Sequence, residues 1–261
     1  MASTPAPGTE ASTHSRTMAD LMALAAERYA DRVAARCKAD GAWHDVTYAE
    51  AGRAVDEIAL GLIAVGVEAG DRVSLLCGTR LEWTLVDFAI SSTGAVVVPI
   101  YPTNSPEECE WVAGNSESVA IVCEDASQVL KIASVRERLP KLRTIVVIDS
   151  LAQPGGEEGN GTLSLADVRE RGRARDASEL AARRDAVRPE DPFTFIYTSG
   201  TTGPPKGCVL SHGNYRSVLS MVQASGRPST RTATSPSSAA RRTSSSPRVA
   251  RTSPRPTSRT T

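Results

Sequence analysis

Glycines, hydroxyl side chains and one lysine are concentrated in eleven consecutive residues, 197–207. The segment reads YTSGTTGPPKG and directly follows the largely apolar run 193–196. Glycine lets backbone N–H groups turn toward an anion and approach it closely, and serine and threonine hydroxyls add further donors. A lysine adds a compact positive charge. The pattern therefore predicts a strand that ends in a loop able to wrap a polyphosphate.

This loop differs from the common nucleoside-triphosphate loop, which has the order G-x-x-x-x-G-K-[ST]. Here Lys206 precedes the last glycine, and Pro204 and Pro205 stiffen the chain before it. A serine- and glycine-rich turn with a solvated lysine is the simpler interpretation. The length of the motif argues against that interpretation, because short motifs match by chance far more often than long ones.

The complete segment resembles the signature loop of the adenylate-forming (AMP-binding) ligases, a superfamily that includes acyl-CoA synthetases, luciferases and nonribosomal peptide adenylation domains. Further stretches are similar to its long-chain fatty-acyl-CoA synthetase branch; they are residues 43–48, 61–67, 70–73, 82–83, 94–103 and 207–214. Glu82-Trp83 together with residues 99–103 favours long-chain fatty acids over acetate or amino acids. The resemblance runs from the first predicted helix to Gln223.

The resemblance implies an AMP-forming long-chain fatty acid–CoA ligase. In that reaction a fatty-acid carboxylate attacks the α-phosphorus of ATP and releases pyrophosphate, and the thiol of CoA then displaces AMP. The residues implied to bind the ATP phosphates are Thr198, Ser199, Gly200, Thr201, Thr202, Gly203 and Lys206. Thr198 is also the implied protein contact for Mg²⁺. No residue of the chain is assigned as a catalytic group.

Strand and helix patterns alternate along residues 18–223. Continuous Val/Ile-rich runs, at 95–99, 119–123 and 144–149, are separated by segments with helical spacing. Such runs are typical of parallel strands that are buried on both faces. The sequence therefore predicts an α/β fold of layered, parallel-rich sheets with flanking helices. By the resemblance, it is an incomplete N-terminal domain.

Several local signals place the elements around the loop. Thr47 and Glu50 form a capping-box pattern, and Ser105 stands before a proline and two glutamates at another helix start. The charged helical segment 164–185 is expected to cover the surface. Residues 208–210 are expected to pair with the strand before the loop as a hairpin. His212 is interpreted as the structural start of the last helix, because no partner of a catalytic triad is nearby.

Composition excludes several classes of protein. The formal net charge is zero, but removing the eight arginines of residues 224–261 leaves 22 basic against 30 acidic residues, a formal charge of −8. This acidic body gives no sign of nucleic-acid binding. The five cysteines are widely spaced without a C-x-x-C pair, which favours reduced thiols and a cytoplasmic location. No run of 18 apolar residues predicts a transmembrane segment. Peripheral association with the inner face of the membrane stays open, since long acyl chains partition into bilayers.

The chain divides into three parts by composition. Residues 1–17 are rich in Pro, Ser, Thr and Ala and are expected to form a disordered lead-in. Residues 18–223 carry the fold. Residues 224–261 hold ten serines, eight threonines, eight arginines and five prolines, and Val249 is their one aliphatic residue besides alanine. Such a segment cannot bury a core, so we expect a disordered tail.

Two interpretations of this tail remain. It is either a functional basic tail or the product of a shifted reading frame in a GC-rich gene. The composition changes abruptly within a predicted helix, whereas functional tails normally follow finished domains, which favours the shifted frame. Members of the family are longer than this chain, so we expect the chain to be inactive alone. A non-catalytic nucleotide-binding fragment and a basic-tailed interaction protein are the alternatives to an enzyme.

Overall fold

The computed structural model describes residues 14–39, 41–149, 162–198 and 204–225. The chain separates into two units, residues 1–227 and 228–261, and all described residues belong to the first. Residues 14–17, which composition assigned to the lead-in, are included, and both Ser15 and Thr17 are buried. The rest of the lead-in and the tail from residue 226 onward lie outside the described residues.

The described residues form eight α-helices and nine strands. The helices are α1 (Leu21–Arg28), α2 (Tyr48–Ala64), α3 (Leu81–Ser92), α4 (Pro106–Asn115), α5 (Ala126–Ala133), α6 (Leu165–Arg173), α7 (Ala177–Ala186) and α8 (His212–Ser225). The strands are β1 (Val33–Ala39), β2 (Ala42–Thr47), β3 (Arg72–Leu76), β4 (Val96–Ile100), β5 (Ala120–Cys123), β6 (Thr144–Val147), β7 (Thr162–Ser164), β8 (Pro192–Thr198) and β9 (Lys206–Ser211). None of these helices combines the length and apolar character needed to cross a membrane.

Seven strands form the main sheet, in the order β7-β6-β5-β3-β4-β8-β9. All neighbouring pairs are parallel except the last, in which β9 runs antiparallel to β8. Strands β1 and β2 form a separate antiparallel hairpin. The predicted α/β class with a parallel-rich sheet is therefore confirmed.

The central strands of the main sheet, β3 to β6, are buried on both faces, and successive side chains of each strand point to opposite sides. Leu75 and Val97 belong to a core shared with α2, α3 and α6. Their sequence neighbours Leu76 and Val98 belong to a second core shared with α4 and α5. This alternation explains the continuous apolar runs, since every residue of such a strand faces a helix layer.

The predicted helix starts are confirmed. The Thr47 hydroxyl accepts from the Glu50 N–H at 3.2 Å, and the Glu50 carboxylate accepts from the Thr47 N–H at 2.8 Å. Ser105 and Glu108 repeat the same reciprocal bonds at the start of α4. Each box satisfies N–H groups that a helix start would otherwise leave unpaired.

The charged segment 164–185 lies on the surface, with most of its residues exposed or half-buried, and it also contributes residues to the core. The segment begins within strand β7, and the two helices that follow bury Leu165, Val168 and Leu180. Helix α6 packs so closely on α2 that a Cβ at Gly172 would collide with the α2 backbone. The abundant charge is explained by ion pairs across this contact, such as those of Arg169 and Arg173 with Glu57.

Candidate phosphate-binding site

The ends of the predicted loop are held side by side by the hairpin of β8 and β9. Thr198 is the last residue of β8 and pairs directly with Lys206, the first residue of β9. Tyr197 pairs with Gly207 one step further from the loop. The predicted hairpin is confirmed, and its second strand is longer than the expected residues 208–210.

The structure locates two of the seven predicted site residues, Thr198 and Lys206, and both are exposed. The other five, Ser199, Gly200, Thr201, Thr202 and Gly203, lie outside the described residues. Within the described part of the chain, no carboxylate lies at ion-pair distance from Lys206. The ammonium group therefore has no internal counter-charge there and is accessible to an anion.

Strand β8 carries the loop at the carboxyl end of a parallel strand. It adds to the sheet beside β4, with Thr194 in register with Val97. The buried Thr194 hydroxyl donates to the Val97 carbonyl at 2.9 Å and fixes this register. In open α/β sheets, ligands bind beyond the carboxyl ends of the strands, so the position of Thr198 is suited to ligand binding.

The last glycine of the motif has a structural explanation in the Tyr197 side chain. The Tyr197 ring lies over Gly207, and a Cβ at Gly207 would stand 3.0 Å from the ring carbon Cζ. Any larger residue at position 207 would therefore have to displace the ring. The Tyr197 hydroxyl donates to Asn115 Oδ1 at 2.7 Å. Burial raises the pKa of the Tyr197 phenol, so the hydroxyl keeps the proton that it donates.

A second contact joins α4 to the segment that precedes Lys206. The indole Nε1–H of Trp111 donates to the Pro205 carbonyl at 2.9 Å. The Trp111 side chain is only partly covered, with 40% of its surface exposed. The sequence analysis missed Trp111 and Asn115, because neither belongs to a motif and both partners are distant along the chain.

His212 lies at the opposite end of the hairpin from Lys206, next to the Ser211–Pro192 pair. It is buried, and its Nδ1 accepts from the Met18 N–H at 3.1 Å. Burial lowers the pKa of His212 to about 4. A neutral, buried ring with a backbone partner agrees with the structural interpretation of this residue.

A cavity of about 820 Å³ lies beside the main sheet. Its lining includes Arg72, Val96 and Pro192, which are the first residues of β3, β4 and β8. The Arg72 guanidinium already donates to the Ser116 carbonyl at 2.7 Å and pairs with Glu117 at 3.0 Å. The cavity therefore lies at the amino ends of these strands, and Asn115 is also part of its lining.

Thr198 is the residue of the predicted site that could act as a protein ligand of Mg²⁺. Among the described residues, no three His, Cys, Asp or Glu side chains come together as a metal site. Mg²⁺ prefers oxygen ligands and usually keeps several waters in addition to substrate phosphates. One threonine hydroxyl is chemically suitable as a single protein ligand within such a shell.

Comparison with known proteins agrees with this architecture. A family model described as "AMP-binding enzyme" matches residues 22–240. The long-chain-fatty-acid–CoA ligase FadD15 of Mycobacterium bovis is 46% identical over 175 residues, which are 67% of this chain and 28% of that protein. The long-chain-fatty-acid–CoA ligase heimdall of Drosophila melanogaster is 31% identical over 204 residues, 76% of this chain and 30% of that protein.

Solved structures share the fold. The anthranilate CoA ligase AuaEII, solved in complex with anthranoyl-AMP, superposes with a TM-score of 0.63 at 25% identity, covering 78% of this chain and 36% of that one. The parallel sheet with a glycine-rich loop after β8 thus defines an α/β protein of the adenylate-forming ligase fold. The chain belongs to the AMP-binding enzyme family. It spans less than a third of the length of the curated relatives named above.

Proposed function

We propose that this chain supplies the ATP-phosphate-binding loop for the activation of a long-chain fatty acid to its acyl-adenylate and then to acyl-CoA. The observation that carries the proposal is the pairing of Thr198 with Lys206, which closes the SGTTGPP loop at the end of β8. Similarity to long-chain fatty-acid–CoA ligases supports the substrate class.

Charge stabilisation is the chemistry that these residues would provide. Attack of the fatty-acid carboxylate on the α-phosphorus of ATP forms the acyl–phosphate bond and breaks the bond to pyrophosphate. Negative charge therefore builds up on the departing pyrophosphate, and donors already in place stabilise it without reorganisation. Lys206 would neutralise this charge, and residues 198–203 would donate to the β- and γ-phosphate oxygens. Thr198 would contribute one ligand to Mg²⁺, which supplies further neutralisation when bound. In the second step the CoA thiol would attack the acyl carbon, forming the thioester bond and breaking the acyl–phosphate bond, and AMP would leave.

The cell compartment is part of the proposal. Cys77, Cys109 and Cys123 are buried free thiols, and burial raises the pKa of Cys77 and of Cys123 to about 12. Such groups behave as small apolar side chains. They support a reducing cytoplasm as the location. We further propose that contact with a membrane is peripheral and is made through the acyl substrate.

The proposal is tested by the binding of Mg·ATP to the 261-residue chain, measured by equilibrium dialysis. Lys206→Ala should weaken binding about ten- to a hundredfold, because it removes a charge-assisted contact to phosphate. Lys141→Ala is the matched control, since it removes the same charge from an exposed position. Absence of binding by the parent chain, or equal weakening by both variants, would overturn the proposal.

The same preparation should make no acyl-CoA from ATP, CoA and palmitate. The relatives use a chain more than three times as long as the matched part, and none of the described residues is assigned a catalytic role. Binding without turnover would identify this chain as a nucleotide-binding fragment of the family. Measurable acyl-CoA formation, followed by thioester absorbance, would contradict the expected inactivity.

A further inference from the structure

One turn of helix α4 contacts strand β8 and the residue immediately before strand β9. Trp111 and Asn115 are four residues apart and therefore lie on the same face of the helix. Trp111 binds the Pro205 carbonyl, immediately before Lys206, at 2.9 Å. Asn115 binds the hydroxyl of Tyr197, immediately before Thr198, at 2.7 Å. The two bonds thus reach the two ends of the loop.

We propose that Trp111 and Asn115 are positioning residues that hold the base of the phosphate-binding loop in its binding geometry. The inference rests on the proposed function, which assigns phosphate binding to the loop. Neither side chain is required to touch the nucleotide. Each acts through a neighbour, Trp111 through the peptide that leads to Lys206 and Asn115 through Tyr197.

The bond from Trp111 fixes the direction in which Lys206 leaves the loop. Pro205 has a restricted φ angle and no N–H of its own. Holding its carbonyl oxygen therefore orients the whole 205–206 peptide and, with it, the Cα of Lys206. Fixing a binding group before the ligand arrives lowers the conformational entropy lost on binding.

The bond that the Tyr197 hydroxyl donates to Asn115 fixes the other end of the loop. The Tyr197 ring lies across Gly207, so its position couples β8 to β9 at the pair next to Thr198 and Lys206. Without its hydroxyl bond, the ring is held by packing alone. Asn115 therefore sets the spacing of the two strands where the loop begins.

Helix α4 is a suitable support because it is itself well anchored. Its first turn carries the Ser105–Glu108 capping box. Cys109, Val112 and Ala113 are buried in the second core, on the side away from solvent. A rigid support is what a positioning contact needs, since a mobile helix would transmit no constraint.

The experiment compares Trp111→Phe, Asn115→Leu and Tyr197→Phe with the parent chain. Trp43→Phe is the matched control, because Trp43 is an exposed tryptophan on the separate β1–β2 hairpin. We expect Mg·ATP affinity to fall about two- to tenfold in each of the three test variants, as for loss of one neutral hydrogen bond. Amide hydrogen exchange of the peptide 197–207, measured without ligand, should become faster. The control should change neither quantity.

A combined variant separates positioning from general packing. Asn115→Leu and Tyr197→Phe remove the two partners of one bond, so the double variant should bind no more weakly than the worse single variant. A purely structural role would instead lower the thermal midpoint while leaving ATP affinity and exchange of 197–207 at parental values. That result, or strictly additive losses, would overturn the positioning role.

The two proposals fail in distinguishable ways. If the parent chain binds no Mg·ATP, the proposed function is wrong, and the positioning role falls with it. If the parent binds and Lys206→Ala weakens binding while Trp111→Phe, Asn115→Leu and Tyr197→Phe leave affinity and exchange unchanged, only the positioning role is wrong. Faster exchange together with weaker binding in these variants supports both.

Discussion

His212 connects the segment before α1 to the start of α8. Its ring accepts from the Met18 N–H and packs on Phe193 with ring centroids 5.3 Å apart. Since both contacts are made by the neutral ring in a buried site, protonation is disfavoured, and burial lowers the pKa to about 4. This one side chain thus makes the stability of the contact between the segment before α1 and the start of α8 depend on pH.

Acidification should therefore destabilise the chain through His212. The unfolded chain takes up the proton near pH 6.5 and the folded chain only near pH 4, so this contribution is complete above pH 6.5 and is lost as pH falls toward 4. The loss amounts to about 3 kcal/mol in the free energy of unfolding. His212→Asn keeps an acceptor without a titrating group, and denaturant titrations at about pH 7.5, 5.5 and 4.5 should show a shallower decline for it than for the parent. Parallel curves would assign the acid sensitivity to other groups.

At the level of elements, the contact of α6 with α2 depends on two glycines. A Cβ at Gly172 would overlap the Glu57 carbonyl, and one at Gly61 would overlap that of Val168. The backbones of the two helices can approach this closely only because neither position carries a side chain. This close contact is what buries Val168 of the charged segment in the core.

Gly172→Ala should destabilise the chain even though alanine is the better helix former. The added methyl group must push the helices apart, and overpacking of this kind costs about 1–3 kcal/mol. Gly114→Ala is the control, because the nearest atom to a Cβ there is Leu139 Cδ2 at an ordinary 3.5 Å. We expect that control to be neutral or to stabilise by up to about 1 kcal/mol. Chemical denaturation of both variants checks the difference, and equal midpoints would contradict the argument.

The elements that sequence alone predicted are those with local signals. Capping residues and Val/Ile runs act within a few positions, so α2, α4 and the parallel strands other than β7 could be placed from the sequence. Contacts between residues that are distant along the chain could not be predicted, because no local sequence pattern encodes them. The bonds from Trp111 and Tyr197 span 94 and 82 residues respectively. The motif therefore identified the loop, while its support on α4 follows only from how the chain folds back on itself.

For the whole molecule, the feature that needs an explanation is the composition of residues 224–261. We infer a shifted reading frame from the loss of acidic and nearly all aliphatic residues after Gln223. The family model matches through residue 240, beyond Gln223 where the resemblance was expected to end, so the gene should be read in all three frames from codon 223 to beyond codon 240. One of the other two frames should encode Val/Leu/Phe-rich strands and a later Tyr/Gly/Thr/Glu motif, which sequencing of the gene will show. If neither does, the basic tail needs a role of its own, and deletion of 224–261 with a nucleic-acid retention assay would test it.

Strand β9 has a consequence for how the chain behaves in concentrated solution. In the described part of the sheet it is the outermost strand beyond β8, and Val209 on it is exposed. On the neighbouring helix α8, Val218 and Met221 are exposed as well. An uncovered outer strand presents free backbone N–H and C=O groups that can hydrogen-bond to the same strand of another molecule. The soluble fraction of this chain should therefore fall as the protein concentration rises, because molecules pair through β9. In such aggregates Lys206, at the start of β9, would become inaccessible to an anion.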